Sequence, residues 1–528
     1  MVSGHPLQAV HAKFEQRQGK DGFPMSGLKR LTSEERDFFA MVYNAGIANP
    51  FGSERVALDL KIAGLFPDAT RSERIEKTVY EVRHRIQGLE ADRRGALHHY
   101  AESDRNLVKA ALLFDFFYTY RKRFDQIILD QMSAGDTPIP VPFAGEAFSL
   151  LHRRGFSEAD ISRYFALSYQ LRRAFFFIFR SLIGNSTAMK QLRRNLWQNI
   201  FTHNLDFYDR YLWNRMEDFS TLILGETGTG KGTAALAIGR SGFIPFDPRT
   251  QTFVESFTRS FVSLNLSQFP ETLIESELFG HKKGAFTGAV KDHRGAFARC
   301  SPYGAILLDE IGEVPEPIQI KLLEVLQERT FSPVGSHEHG RFQGRVIAAT
   351  NRTLEDIRQK RIFRDDFYYR LTSDIITVPP LRQRLAENPA ELEDLLTHTV
   401  ERMVGKPYPE LVAMVHEVID QHLGPQYPWQ GNVRELEQCV RRVLLKRDYG
   451  GDRGQGAADL GEMLSAGILD GSLDGRQLLS GYCYLLHQRH GTYEDVARRT
   501  RLDRRTVKKY VTEWTARRPE AKKGNAAP

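Results

Sequence analysis

Residues 221–233 read TLILGETGTGKGT, and the organisation of the chain can be worked outward from this stretch. TLIL is a short apolar run. Gly225, Gly228 and Gly230 then alternate with Glu226, Thr227 and Thr229, and Lys231, Gly232 and Thr233 follow. The spacing G-x-x-x-x-G-K between a strand and a helix lets backbone N–H groups wrap a phosphate. The lysine reaches its outer oxygens, and the helix adds its positive end. The residue after Lys231 is Gly232, so the hydroxyl that usually serves Mg2+ there is missing. Thr233 lies about 100° further round the helix and is no automatic substitute.

Downstream, AILLDE (305–310) is an apolar strand ending in two carboxylates. Asp309 is placed to hold Mg2+ and its water, and Glu310 to polarise an attacking water. RVIAATN (345–351) ends in Thr350 and Asn351, whose polar side chains can reach the same sheet edge. With FVSLNL (261–266) and DIITVPP (374–380), these runs alternate with helical or loop segments. That is the pattern of a parallel sheet covered on both faces.

Residues 1–180 read mostly as helix, in SEERDFFAMVYNAG (33–46), one long pattern over 72–124, and SEADISRYFALSYQLRRAFFFIFRSLIG (157–184). DTPIPVPF (136–143) cannot be helical and separates two helical groups. The aromatic runs at 114–120 and 175–179 fit plain core packing, with a ligand pocket as the other reading. Residues 382–448 are again helical, 449–472 read as a Gly-rich polar linker, 473–515 as a last helical block, and 516–528 as a basic disordered tail.

At 528 residues three or four domains are expected, and 41% hydrophobic with 26% charged residues suits a soluble globular protein. Cys300, Cys439 and Cys483 are scattered, which argues against a disulfide framework or zinc site and for a reducing compartment. The first residues lack the apolar core of a signal peptide, and AFFFIF (174–179) is too short to span a bilayer. The expectation is a cytoplasmic protein with no membrane partner.

Positive charge gathers at the end. Residues 498–523 hold eleven Lys/Arg against three Asp/Glu, which leaves the rest of the chain close to neutral. Within GTYEDVARRTRLDRRTVKKYVTEW (491–514), two short helices flank a tight turn, with Asp503 as N-cap of the second. Arg504, Arg505, Thr506, Lys508 and Lys509 then point outward, as in a helix-turn-helix whose second helix enters the major groove.

The stretch from about 182 to 442 resembles the central AAA+ domain of the sigma-54-dependent transcriptional activators, the bacterial enhancer-binding proteins. The matching runs are LIGNSTAMKQLR, GETGTGKG, ESELFGHKKGAFTGA, LLDEIGEVP, IKLLEVLQE, AATN, FRDDFYYRL, VPPLRQR and PWQGNVRELEQ. The fold implied is multidomain. A helical regulatory region (1–180) precedes an α/β AAA+ P-loop subdomain (181–381) and a helical lid (382–448), and an all-α helix-turn-helix follows the linker.

The resemblance also implies roles. ATP sits on the glycine loop and Lys231, with Mg2+ on Asp309. Asn265 restrains Glu310, Asn351 is the first sensor and Arg434 the second. Arg364 and Arg370 act as fingers in a neighbouring subunit's site, where a guanidinium stabilises transition-state charge only after assembly. Gly284, Ala285, Phe286, Thr287, Gly288 and Ala289 form the loop tip that grips sigma-54. A flexible loop carrying an unprotected Phe-Thr pair, with neither strand nor helix periodicity, suits that use.

Two positions depart from the family. Gly232 stands where glutamate is usual, and Pro333, in FSPVGSHEHG (331–340), where arginine is common. The function implied is an ATPase that binds an upstream DNA site, assembles into a hexameric ring and remodels the sigma-54 RNA polymerase promoter complex. The alternatives are a DNA-binding regulator that binds ATP without productive hydrolysis, and a chaperone-like AAA+ ATPase acting on another protein.

Overall fold

The five apolar runs are strands β1 (Thr221–Leu224), β2 (Phe261–Asn265), β3 (Ala305–Asp309), β4 (Arg345–Thr350) and β5 (Asp374–Thr377). In the computed structural model, which describes residues 28–424, 427–451, 460–469 and 471–516, they form one all-parallel sheet ordered β2-β3-β4-β1-β5. Register pairs Asn265 with Asp309, Asp309 with Ala349, and Leu224 with Thr350. Four carboxyl ends therefore meet along one edge, where ligands of open α/β sheets bind.

Alternation of side chains divides the sheet between two cores. Ile223, Leu307, Ile347 and Ala349 face one, and Leu222, Leu308, Val346 and Ala348 the other.

Among the described residues, seven helices of ten or more residues precede the sheet: α1 (Ser33–Ile47), α2 (Ser53–Ala63), α3 (Arg71–Ala91), α4 (Glu102–Ala134), α5 (Ala144–Arg153), α6 (Glu158–Ser181) and α7 (Thr187–Phe201). The pattern read as one helix over 72–124 is two. Arg93 takes φ 54° and a short 3-10 turn follows at Leu97–His99, so the chain reverses between α3 and α4. The Pro-rich segment 136–143 does separate α4 from α5, and Ser157 caps α6 by accepting from the Asp160 amide. Packing does not break at residue 181, because one core runs from Leu31 through α6 to Val378.

The helix after the glycine loop is α8 (Lys231–Gly239). Next come α9 (Glu271–Phe279), started by Pro270 and stopped by Gly280, α10 (Glu316–Glu328) and α11 (Asp365–Leu371). The lid comprises α12 (Leu381–Glu387), α13 (Glu391–Val404), α14 (Pro409–His422) and α15 (Asn432–Lys446).

The described residues fall into two packed units, residues up to 417 with 427–446, and 418–424 with those from 447 onward. The second unit holds α16 (Leu460–Leu469), α17 (Gly475–His490), α18 (Tyr493–Thr500) and α19 (Arg504–Ala516). Helix α16 lies within the stretch read as linker; its Leu464 is buried against Trp514, an anchor that the surrounding glycines concealed. Residues 1–27, linker residues 452–459 and 470, and tail residues 517–528 lie outside the described residues. No described helix is long and apolar enough to cross a membrane.

Candidate functional site

The glycine loop is held open by backbone geometry. Gly225, Gly228 and Gly230 take φ of 157°, 80° and 102°. At Gly228 a side chain would run into the Gly431 carbonyl and the Arg434 side chain, so this glycine is what lets the lid close on the loop. Lys231 is buried, and its Nζ donates to Gly225 O (2.9 Å) and Glu226 O (3.3 Å). Desolvation holds the Lys231 pKa below its ordinary value; Glu310 and Asp309 oppose this and Arg434 adds to it. Lysine, carboxylates and lid arginine thus share one electrostatic neighbourhood. Gly232 is exposed, with open space where a side chain would project, and Thr233 is half-buried.

Glu310 sits in the left-handed region at φ 57°, unusual for a residue with a side chain, and its amide donates to Asp309 Oδ1 (3.1 Å). Strain of this kind persists where the surroundings fix a side-chain direction. The two carboxylates therefore leave β3 at a fixed divergence, at the edge that also carries the glycine loop. Asn351 is exposed at the same edge, whereas Thr350 is buried and its Oγ1 accepts from the Arg352 amide (3.2 Å). Asn265 makes no hydrogen bond to Glu310 among the described residues. Its Oδ1 closes a local turn by accepting from Ser267 N (3.0 Å) and Oγ (2.8 Å), a use that Asn side chains commonly find after a strand.

The lid contributes a residue that the sequence reading passed over. Asn432 is fully buried at φ 55°. Its Oδ1 accepts from Leu381 N (2.7 Å), and its Nδ2 donates to Thr227 O (3.0 Å) and Glu226 Oε2 (3.2 Å). Beside it Val433 N donates to Gly228 O (3.1 Å), and Arg382 forms a two-pronged ion pair with Glu226. The signal was present in PWQGN, a Gly-Asn turn before a helix, the setting in which Asn tolerates positive φ. Arg434, one residue after Val433, is exposed.

Arg364 caps α11 and is tied to Glu316 (2.7 Å) and Asp366 (3.1 Å), while Arg370 is exposed and donates to Leu326 O (3.2 Å). Among the described residues neither hydrogen-bonds the glycine loop, Asp309 or Glu310 of its own chain.

The loop 284–289 is less free than its composition suggests. Its stem is pinned on both sides. His281 and His293 exchange backbone hydrogen bonds (3.0 and 2.9 Å), and Lys282 N donates to Val334 O (3.0 Å). Phe286 is 37% exposed because the His281 ring packs edge-on at 4.9 Å, so it is not the wholly unprotected group expected. Thr287 remains exposed, and Gly284 and Gly288 take φ of 82° and 102° in open space.

A family model described as the Sigma-54 interaction domain matches residues 206–377. The Nif-specific regulatory protein of Azotobacter vinelandii is 43% identical over 238 residues, 45% of this chain and 41% of that protein. The DNA-binding transcriptional regulator NtrC of Rhizobium meliloti (strain 1021) is 37% identical over 262 residues, 50% of this chain and 47% of that one. Residues 206–377 belong to the Sigma-54 interaction domain family. The chain spans less than half the length of these curated relatives. A crystal structure of NtrX from Brucella abortus in complex with ATP covers 70% of this chain and 79% of its own, at 22% identity and a TM-score of 0.38.

The matched family region ends at 377, so the basic end of the chain is described from its own geometry. Helices α18 and α19 are joined by Arg501, at φ 54°, Leu502 and Asp503. Val496, Val507 and Val511 pack with Cys483 and Leu486 of α17. Asp503 Oδ1 caps α19 by accepting from Arg505 N (2.9 Å) and Thr506 N (3.0 Å). The Thr506 hydroxyl is drawn into the same cap, and Arg504 pairs with Glu494 (2.8 Å). Arg505, Lys508 and Lys509 are exposed, with no ion pair among the described residues. The outward set expected from sequence thus divides into three free cations and two committed side chains.

Proposed function

We propose that this chain is an ATP-driven transcription activator that binds DNA through α19, assembles into a ring and acts on the sigma-54 RNA polymerase promoter complex through loop 284–289. The observation that carries this reading is the meeting of Lys231, Asp309, Glu310 and Asn351 at one sheet edge beneath a docked lid. A buried lysine whose Nζ has only loop carbonyls for partners suits an anionic phosphate, and the glycines leave backbone N–H groups free to approach it. Asp309 fits Mg2+, which would neutralise phosphate charge when bound; Gly232 offers it no hydroxyl. Glu310 accepts a proton from the attacking water, and Asn351 orients it. Arg434 lies on the lid against Gly228 and would face the outer phosphate of a bound nucleotide.

Arg364 and Arg370 stand clear of their own site, which suits fingers supplied to the next subunit of an oligomer, hexameric by resemblance. The pinned stem and free tip of the 284–289 loop suit a contact that moves as a unit with α9. A regulator that binds ATP without hydrolysis is the second reading, favoured by Gly232 alone. One pair of variants tests the assignment. Lys231→Ala should abolish ATP binding, whereas Glu310→Ala should keep binding and stop turnover. Undiminished hydrolysis by the Glu310 variant would overturn the role given to Glu310, and binding without turnover by the unaltered protein would favour the second reading.

A further inference from the structure

Helices α1, α2, α3, α4, α6 and α7 enclose a cleft of about 970 Å³, at the upper end of the volumes that hold small ligands. The aromatic runs split between two uses. Phe116, Tyr120, Phe176 and Phe177 are buried core, whereas Phe117, Tyr118, Phe175, Phe179 and the buried Phe114 line the cleft, with Trp197 beside them. Phe175 and Phe179 stack at 5.4 Å, which gives the wall a flat face.

Charge in the cleft does not balance. Ten Lys/Arg side chains line it against five Asp/Glu. Four of the carboxylates are already spoken for, Asp59 by Arg55, Asp125 by Arg172, Asp206 by Arg210 and Asp209 by Arg163. Arg71 has no hydrogen bond or ion pair among the described residues. It lies over the Phe175 and Phe179 rings, at 5.2 and 4.6 Å from their centroids. Desolvation, followed by the like charges of Arg74, Arg172 and Arg121, holds its pKa below the ordinary arginine value. Arg121 lies over Tyr118 at 5.5 Å and has no carboxylate partner among the described residues. Arg74 Nε is buried without a hydrogen-bond acceptor among the described residues, and it makes only a long ion pair with Asp59, at 4.0 Å, a carboxylate already held by Arg55.

Uncompensated guanidiniums beside stacked rings form a site that lacks an anion. Planar forked donors match a carboxylate or phosphate, and the ring wall matches a flat apolar body. We propose that this cleft binds a small organic anion, with its acidic group on Arg71, Arg74 and Arg121 and its flat body against Phe175, Phe179 and Tyr118. None of these residues belongs to the nucleotide site, the 284–289 loop or α19.

Calorimetric titration of the full chain with 2-naphthoate, 2-naphthyl phosphate and uncharged 2-naphthol tests this. One site per chain is expected for at least one of the two anions, and the tighter one identifies the acidic group. Naphthol should bind at least about tenfold more weakly, the loss expected when a charge-assisted hydrogen bond is missing. Arg71→Met and Arg121→Met keep the apolar stem, remove only the cation–π contacts to Phe175, Phe179 and Tyr118, and should each weaken the anion by a similar factor, with melting curves checking that the variants fold. The proposal fails if neither anion saturates a site below about 10 mM. It fails equally if naphthol binds as tightly as the anions, or if both folded Met variants bind unchanged.

Discussion

Replacing Asn432 by alanine should release the lid from the glycine loop. Three hydrogen bonds across separate segments are lost, to Leu381 N, Thr227 O and Glu226 Oε2. The Thr227 bond contributes about 1 kcal/mol net, and the bond to the partly exposed Glu226 less than that after screening. Leu381 N is buried and would be left without an acceptor, which costs about 1–3 kcal/mol. Alanine at φ 55° adds about 1 kcal/mol that asparagine partly avoids. The total is about 3–5 kcal/mol, or roughly a 10²–10⁴-fold rise in the opening equilibrium. Val433 N, which donates to Gly228 O across the same contact, is the reporter, read by amide hydrogen exchange. Asn432→Gly should recover about 1 kcal/mol of the loss, because glycine carries no penalty at this φ. If Val433 exchange rises less than about threefold in Asn432→Ala, other contacts hold the lid and the accounting is wrong.

The pH dependence of the same contact follows from Glu226. Hydrogen bonding from Arg382 outweighs desolvation and, helped by Asn432, holds the Glu226 pKa below its ordinary 4.5. The docked carboxylate binds its proton less readily than the free one, so the stabilisation is complete above 4.5 and is lost as pH falls through the lower docked value. Val433 exchange, corrected for intrinsic pH dependence, should stay flat near neutrality and rise only below about 4.5; a rise near pH 7 would point to a histidine instead. Thr287→Ala should leave ATP turnover within about twofold and abolish capture of sigma-54 in the presence of an ATP analogue, since Thr287 is exposed at the loop tip away from the carboxyl edge. Retained capture would move the contact elsewhere. Subunits carrying Arg364→Ala and Arg370→Ala should regain turnover when mixed with Lys231→Ala subunits; mixed oligomers that assemble but stay inactive would argue against shared sites. Lys509→Ala should weaken all DNA sequences alike and lower the salt slope by about one, whereas Arg505→Ala should cost about 1–3 kcal/mol at one base pair. Equal effects of Arg505→Ala on specific and random duplex would remove its reading role.

The parallel sheet was legible because each strand is a short apolar run, and three of them run into residues read as the site, Gly225, Asp309 and Asn351, so chemistry and periodicity pointed to the same boundaries. The same held for α19, where Asp503 announced the cap before the contacts were known. What failed was local detail decided by neighbours distant in sequence. Leu464 finds Trp514 fifty residues on and turns a Gly-rich stretch into helix α16. His281 covers one side of Phe286, which no pattern within the loop could reveal. Arg504 and Thr506 were grouped with Arg505 by charge and polarity, but Glu494 and Asp503 give them partners within the chain. Apolar spacing reports which face is buried; it says nothing of which partner a polar tip will find.

Helix α6 shows why the first 180 residues resisted a functional reading. Its residues satisfy two surfaces at once, so no single stripe stands out. Ser168, Leu171, Arg172, Phe175 and Phe179 face the cleft. Between them Gln170 Nε2 donates to Ser241 O (2.9 Å), and the fully buried Arg173 donates to Arg240 O (2.9 Å) and Gly242 O (2.6 Å). Those carbonyls belong to the turn that ends α8, the helix that begins at Lys231, and a cation at a helix C-terminus also complements its dipole. Desolvation lowers the Arg173 pKa to about 10, still well above neutrality, so the clasp stays charged. A ligand that shifts α6 by a fraction of an ångström would therefore act on the far end of the helix that follows the glycine loop, with no intervening loop to absorb the movement. In a core packed as densely as a crystal, such a displacement is transmitted rather than dissipated. This continuity, rather than a hinge, is the physical route by which occupancy of the cleft can bear on the nucleotide site.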